Sequence, residues 1–92
     1  MTKNIFKERL IKGESLVGIF ASLGSEMAAE VLGSSNIDYT LIDMEHAPND
    51  LRNVVNQMQA VKAAGGECLV RIPVLDHIYV KRLLDAGATT IM

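Results

Sequence analysis

Short apolar runs alternate with amphipathic segments along this chain, and this alternation limits its fold more than any other feature. The apolar runs at residues 16–23, 39–43 and 68–72 are predicted to be buried strands, and a fourth strand is predicted to begin at residues 88–92. With a helix over residues 4–12, the predicted order is a helix followed by β-α-β-α-β-α-β. Strict alternation of this kind indicates an α/β fold with parallel strands joined by right-handed crossovers.

Each predicted helix carries apolar residues at helical spacing. In chain order, these stripes are Phe6, Leu10 and Ile11; Met27, Ala28, Val31 and Leu32; Leu51, Val54, Val55, Met58 and Val61; and Val80, Leu83 and Leu84. The predicted N-terminal caps are Ser25, either Asn49 or Asp50, and Asp76. Glycines are predicted to end the helices, at Gly13, Gly33, Gly65-Gly66 and Gly87.

The length of the chain sets the size of the expected fold. A complete (β/α)8 barrel takes about 250 residues, and the strands and helices predicted here make about three and a half of its eight units. The 92 residues are therefore predicted to be one segment, residues 1–92, that forms the N-terminal part of a TIM barrel. Hydrophobic residues make up 49% and charged residues 22%, which is typical of a globular domain rather than a disordered one.

Charge and hydropathy exclude several classes of protein. The net charge is −2 and no basic stripe occurs, which argues against nucleic-acid binding. No apolar run approaches the roughly 20 residues needed to span a bilayer, and the start MTKNIFKERLIKG lacks the apolar core of a signal peptide. We therefore expect no membrane association and a cytoplasmic location. Cys68 is the only cysteine, and a small buried side chain is favoured there over a reactive thiol.

Ionisable residues collect after the second predicted strand, where parallel β/α domains usually place their active sites. Asp43 and Glu45 share the strand parity of Leu41, and His46 follows as the chain turns. A carboxylate three residues from a histidine can accept its ring N–H and raise the basicity of the other nitrogen. A polar strand end solvated at the rim is an equally good interpretation of this spacing.

Arg71 lies at the end of the third predicted strand, which is otherwise apolar. An arginine cannot lose its charge, so it requires an anionic partner. That partner is either a substrate carboxylate, which suits a planar guanidinium, or the carboxylate of Asp43 or Glu45. His77, at the start of the fourth helix, is predicted to be solvated, and no metalloprotease, P-loop or dinucleotide motif occurs.

Three runs of sequence resemble one enzyme family. They are LIDMEHAPN at residues 41–49, VRIP at residues 70–73 and KRLLDAGA at residues 81–88. Together they resemble the class II pyruvate aldolases of the hydroxy-oxo-heptanedioate aldolase and citrate lyase family, whose relatives include 2-dehydro-3-deoxy-glucarate aldolases. The resemblance covers essentially all of the chain, and D-x-E-H-x-P-N is fairly specific when V-R-x-P follows it.

The resemblance implies a barrel enzyme that cleaves or forms a carbon–carbon bond through a metal-bound pyruvate enolate. It implies that His46 is the catalytic base, that Asp43 is its dyad partner, and that Arg71 binds the pyruvate carboxylate end and the enolate charge. Asp85 matches an acidic position near the active site of a neighbouring subunit, although it also suits a helix surface. Phe20 stands where some members have tryptophan, on the aldehyde side of the pocket.

The resemblance also implies a divalent metal ion, Mg, Mn, Co or Zn, whose glutamate and aspartate ligands follow residue 92, so no metal ligand is expected in this chain. The expected substrate is a 4-hydroxy-2-oxo acid cleaved to pyruvate and an aldehyde, and the expected assembly is a homo-hexamer. One alternative is an inactive barrel fragment that persists by self-assembly through exposed sheet edges. Another is a barrel enzyme with enolate chemistry on a phosphorylated substrate, bound after strands seven and eight.

Overall fold

The computed structural model describes residues 3–92, and the first two residues of the predicted segment 1–92 lie outside this range. Helices and strands alternate in the predicted order. They are α1 (Ile5–Ile11), β1 (Gly18–Ala21), α2 (Glu26–Ser34), β2 (Tyr39–Asp43), α3 (Leu51–Ala63), β3 (Cys68–Arg71) and α4 (His77–Asp85). In the part of the chain described, no helix is both long enough and apolar enough to cross a membrane.

The three strands form a parallel sheet in the order β1-β2-β3. Phe20 lies opposite Leu41, and Asp43 lies opposite Arg71. Neighbouring residues in register point to the same face of a parallel sheet, and successive residues of a strand alternate between faces. One face therefore carries Phe20, Leu41, Asp43 and Arg71, while the other faces the helices.

The fourth predicted strand, residues 88–92, is present as a single parallel bridge from Ile91 to Val70 on the free edge of β3. The amide of Met92 donates to the carbonyl of Val70 at 2.8 Å, and the amide of Ile72 donates to the carbonyl of Met92 at 3.0 Å. Thus the segment follows the predicted direction and position. The α/β fold class and its parallel topology are confirmed.

The main core lies between the sheet and helices α2 to α4. Its members are buried side chains from every layer, namely Ala21, Ala29, Ile42, Met44, Val54, Met58, Val61, Cys68, Val70, Ile72, Leu83 and Ala88. The predicted stripe of α3 is largely confirmed, and Leu83 is buried as predicted for α4, although its neighbour Leu84 is exposed. Burial also raises the pKa of the Cys68 thiol to about 12, so the thiol stays protonated at neutral pH.

The predicted apolar stripe of α2 was wrong in part. Met27 and Val31 are 76% and 66% exposed, whereas Ala29 and Gly33 are buried. The small residues of α2 face inward because the helix lies very close to α3. A hydrophobic pattern gives the spacing of a stripe, but here side-chain size decided which side could be buried.

Gly33 was wrongly predicted to end α2, which continues through it to Ser34. A Cβ atom added at Gly33 would lie 2.9 Å from both the Cα and the carbonyl oxygen of Val61 in α3. Gly33 therefore allows the two backbones to approach closely. By contrast, Gly13, Gly65 and Gly87 follow the ends of their helices as predicted, with φ values of 81°, 89° and 104°.

We expect Gly33→Val to lower the free energy of unfolding by about 1–3 kcal/mol, because overpacking against a backbone forces α2 and α3 apart. Urea unfolding followed by circular dichroism would measure the change. Glu30→Val is the matched control, since Glu30 is exposed on the same helix. Equal losses in the two variants would contradict the packing role assigned to Gly33.

Candidate active site

An ion pair between a buried carboxylate and a partly exposed guanidinium joins the carboxyl ends of β2 and β3. Asp43 and Arg71 end these strands in register. Arg71 Nε donates to Asp43 Oδ1 at 2.9 Å, and Arg71 Nη2 donates to Asp43 Oδ2 at 2.6 Å. Asp43 is only 2% exposed. Of the partners predicted for Arg71, the structure thus shows the Asp43 carboxylate, in a bidentate geometry that fixes the plane of the guanidinium.

The surroundings of Asp43 keep its carboxylate ionised. The hydrogen bonds from Arg71 hold the pKa of Asp43 well below its usual range, and the backbone amides of Glu45 and His46 act in the same direction, while burial opposes them. Those amides donate to Asp43 Oδ1 at 2.9 Å and 3.3 Å. The same ion pair raises the pKa of Arg71. The two strand ends therefore carry opposite charges at neutral pH.

The imidazole of His46 contacts Glu45 rather than Asp43. His46 Nε2 lies 3.1 Å from Glu45 Oε1, and the histidine side chain is 72% exposed. The bond predicted between Asp43 and the imidazole is not made in this structure, because the Asp43 carboxylate already accepts from Arg71 and from two backbone amides, including that of His46 itself. The catalytic roles of His46 and Asp43 remain predictions.

Glu45 connects the two parts of the site. Its Oε1 lies 3.1 Å from His46 Nε2 and 3.5 Å from Arg71 Nη1. Asp43, Arg71, Glu45 and His46 thus form a continuous chain of polar contacts at one end of the sheet. The structure therefore brings the three predicted residues to one place, with Glu45 between two of them.

Phe20 borders this group, whereas Asp85 does not. The Arg71 Cζ atom lies 5.1 Å from the centroid of the Phe20 ring, within the range of a cation–π contact. Asp85 is an exposed residue at the end of α4. Because α4 begins after β3 and runs back along the sheet, its last residue lies at the opposite end of the strands from Asp43 and Arg71. The contribution of Asp85 to a neighbouring subunit stays a prediction.

Sequence reasoning missed a buried amide network beneath the site. Asp50 caps α3, which confirms one of the two predicted alternatives, and the side chain of Asn49 makes other contacts. Asn49 Nδ2 donates to the carbonyl oxygen of Asp43 at 2.7 Å and to that of Ala21 at 3.3 Å, and Gln57 Nε2 donates to Asn49 Oδ1 at 2.9 Å. The available signal was Gln57, a polar residue within the buried apolar stripe of α3.

The residues of this site do not form a metal site by themselves. Within residues 3–92, no three side chains of His, Cys, Asp or Glu are arranged to hold a metal ion. Both carboxylate oxygens of Asp43 accept from Arg71, and Glu45 faces two cationic or hydrogen-bonding partners.

The arrangement defines a class of protein. Parallel strands joined by helices, with ionisable side chains gathered at the carboxyl ends of the strands, are the arrangement found in β/α-barrel enzymes. A profile of the family described as HpcH/HpaI aldolase/citrate lyase matches residues 16–92. The chain therefore belongs to the HpcH/HpaI aldolase/citrate lyase family, as the sequence motifs predicted.

Individual relatives match nearly the whole chain but only part of their own length. The hydroxypyruvate/pyruvate aldolase of Paraburkholderia phytofirmans is 47% identical, and the match covers 97% of this chain and 35% of that protein. The 4-hydroxy-2-oxo-heptane-1,7-dioate aldolase of Salmonella dublin is 38% identical, and the match covers 98% of this chain and 34% of that protein. A crystal structure of a family protein from Burkholderia cenocepacia superposes with a TM-score of 0.91 at 47% identity, covering 98% of this chain and 36% of the other. The chain thus spans about a third of the length of these relatives and corresponds to the N-terminal part of a TIM-barrel fold.

Proposed function

We propose that this chain contributes the base and the anion-binding arginine of a divalent-metal-dependent aldolase. The whole enzyme would cleave a 4-hydroxy-2-oxo acid to pyruvate and an aldehyde, in the cytoplasm and as a homo-hexamer. Membership of an aldolase/citrate lyase family supports the reaction class. The observation that carries the proposal is the guanidinium of Arg71, fixed at a strand end beside Glu45 and His46.

Arg71 has one nitrogen that is suited to a substrate. Nε and Nη2 are occupied by Asp43, whereas Nη1 lies 3.5 Å from the nearest Glu45 oxygen, longer than an ordinary hydrogen bond. Nη1 is thus able to donate to the carboxylate or to the 2-oxo oxygen of a bound 2-oxo acid. Negative charge on that oxygen grows as the carbon–carbon bond breaks, so a fixed donor stabilises the transition state more than the substrate.

His46 would supply the base. Its imidazole accepts the proton of the 4-hydroxyl group, the C3–C4 bond breaks, and the electron pair forms the enolate of pyruvate while C4 leaves as the aldehyde. Protonation at C3 then completes pyruvate. The proposed metal, Mg, Mn, Co or Zn, would act as a Lewis acid, with ligands from outside this chain.

A fusion enzyme would test the proposal directly. Residues 1–92 replace the matching segment of the Paraburkholderia phytofirmans aldolase, and pyruvate release from 4-hydroxy-2-oxo acids is followed with a lactate dehydrogenase couple. We expect release that stops with a chelator and returns when divalent metal is added. The unaltered aldolase is the control. A folded fusion that binds metal but releases no pyruvate would contradict the proposal.

One observation favours the second candidate, an inactive chain that self-assembles. Among the described residues, β1 has no partner on its outer edge, and large apolar side chains are exposed along that edge and the adjoining helix, at Ile19, Phe20, Leu23, Met27 and Val31. Such an edge can pair with another copy. Analytical ultracentrifugation of the 92-residue chain, combined with the pyruvate assay, separates the aldolase proposal from this alternative. The alternative would be supported if the 92-residue chain forms oligomers without activity and the fusion enzyme also releases no pyruvate.

A further inference from the structure

The turn that carries the site, residues 43–49, is closed by its own last side chain. Asn49 Nδ2 returns to the carbonyl oxygen of Asp43 at 2.7 Å, so that Glu45 and His46 lie inside the loop this bond completes. The same amide group reaches the carbonyl oxygen of Ala21, the last residue of β1, at 3.3 Å. Asn49 therefore ties the carboxyl ends of two neighbouring strands together.

Gln57 determines which way the amide of Asn49 points. Gln57 is 1% exposed in the middle of α3, and its Nε2 donates to Asn49 Oδ1 at 2.9 Å. With its oxygen held by Gln57, Asn49 must direct both N–H groups at the two carbonyls. Removing one donor from a buried network of this kind leaves its partners unpaired.

The network connects to the reacting groups through Asp43. Asn49 holds the main chain of Asp43, while the side chain of Asp43 holds Arg71 and accepts from the backbone amides of Glu45 and His46. A shift of the Asp43 backbone would therefore move the guanidinium and the histidine relative to each other. The proposed reaction needs both at one substrate.

We propose that Asn49, oriented by Gln57, is a positioning residue that holds the Asp43–Arg71 pair and His46 in the relative geometry required for turnover. This inference rests on the proposed aldolase function. Asn49 contacts main-chain carbonyls rather than the substrate. Replacing it should therefore lower the rate of the chemical step and leave substrate binding largely unchanged. Misplacement of reacting groups by about 1 Å can cost about 10²-fold in rate.

Asn49→Asp in the fusion enzyme is the sharpest test, because it keeps the shape and the oxygen facing Gln57 but removes the N–H donors. We expect kcat to fall about 10²-fold while KM changes by less than about threefold. Asn56→Asp is the matched control, since Asn56 is exposed on α3 near Gln57. Circular dichroism and sedimentation would test whether the variants are folded and assembled like the parent.

Several outcomes would overturn the inference. A folded Asn49→Asp enzyme with the kcat of its parent would remove the positioning role, and so would a loss confined to KM. If Asn49→Asp fails to fold, Gln57→Glu takes its place, because it removes the donor to Asn49. The same fall in kcat with little change in KM is then expected of Gln57→Glu. A parent fusion without pyruvate release would instead refute the aldolase proposal, so the two failures are distinguishable.

Discussion

His46→Ala should lower pyruvate release by the fusion enzyme about 10²- to 10⁴-fold, the usual contribution of a general base. The imidazole is 72% exposed, and its polar partner within residues 3–92 is Glu45, so its removal should not disturb the core. The loss should therefore appear in kcat at saturating substrate, with the unfolding transition unchanged. Steady-state kinetics and urea unfolding measure the two quantities separately.

The control for this prediction is His77→Ala. His77 is an exposed histidine in the first turn of α4, and its polar partner among the described residues is Asp76, at 3.9 Å, rather than Asp43, Arg71, Glu45 or His46. We expect turnover within twofold of the parent for this variant. If His46→Ala also retained near-parental turnover, the assignment of the base would have to be abandoned while the rest of the site could stand.

Features set by local chemistry could be predicted from the sequence. Ser25 and Asp76 cap their helices because a short polar side chain next to its own backbone amides needs no distant partner. The strands were recognisable because a strand of a parallel sheet, covered on both faces, is apolar along its length. The direction and order of the strands then followed from the alternation with helices.

Features that depend on distances between elements could not be predicted. The role of Gly33 depends on how closely α3 approaches, which no local pattern encodes. His46 contacts Glu45 rather than Asp43 because the carboxylate of Asp43 is bound to Arg71. Arg71 is 28 residues from Asp43 in sequence, so no local pattern shows this contact. Gln57 was the one visible signal, because a buried amide in an apolar stripe requires a polar partner, but only the structure identifies that partner as Asn49.

The second large effect is expected at the Asp43–Arg71 pair itself. Arg71→Met should reduce pyruvate release about 10²- to 10³-fold by removing a charged donor from the transition state. It should also lower the free energy of unfolding, because the carboxylate of Asp43 remains buried without its partner. Arg71→Lys should recover little of the lost pyruvate release or of the lost stability, since one ammonium group cannot both pair with Asp43 and face the substrate.

The control must separate the loss of stability from the loss of catalysis. The double variant Asp43→Asn with Arg71→Met removes both charges, so no uncompensated carboxylate is left, and it should regain much of the lost stability. Its turnover should stay low because the guanidinium is still absent. Arg52→Met, at an exposed position of α3, should change neither quantity. Parental turnover in Arg71→Lys would contradict the bidentate role.

The pH dependence of stability gives an independent test of the ion pair. The pKa of Asp43 is lowered in the folded protein from an ordinary value of 3.8, with Arg71 as the main cause. The folded state therefore binds this proton less readily than the unfolded state, and the stabilisation is complete above about pH 4 and is lost as pH falls toward the lowered pKa. The difference in unfolding free energy between parent and Arg71→Met should consequently be largest near neutral pH and shrink below about pH 4. Urea titrations from pH 7 to pH 2 would measure it, and a difference that is constant across this range would show that Asp43 does not depend on Arg71 for its charge.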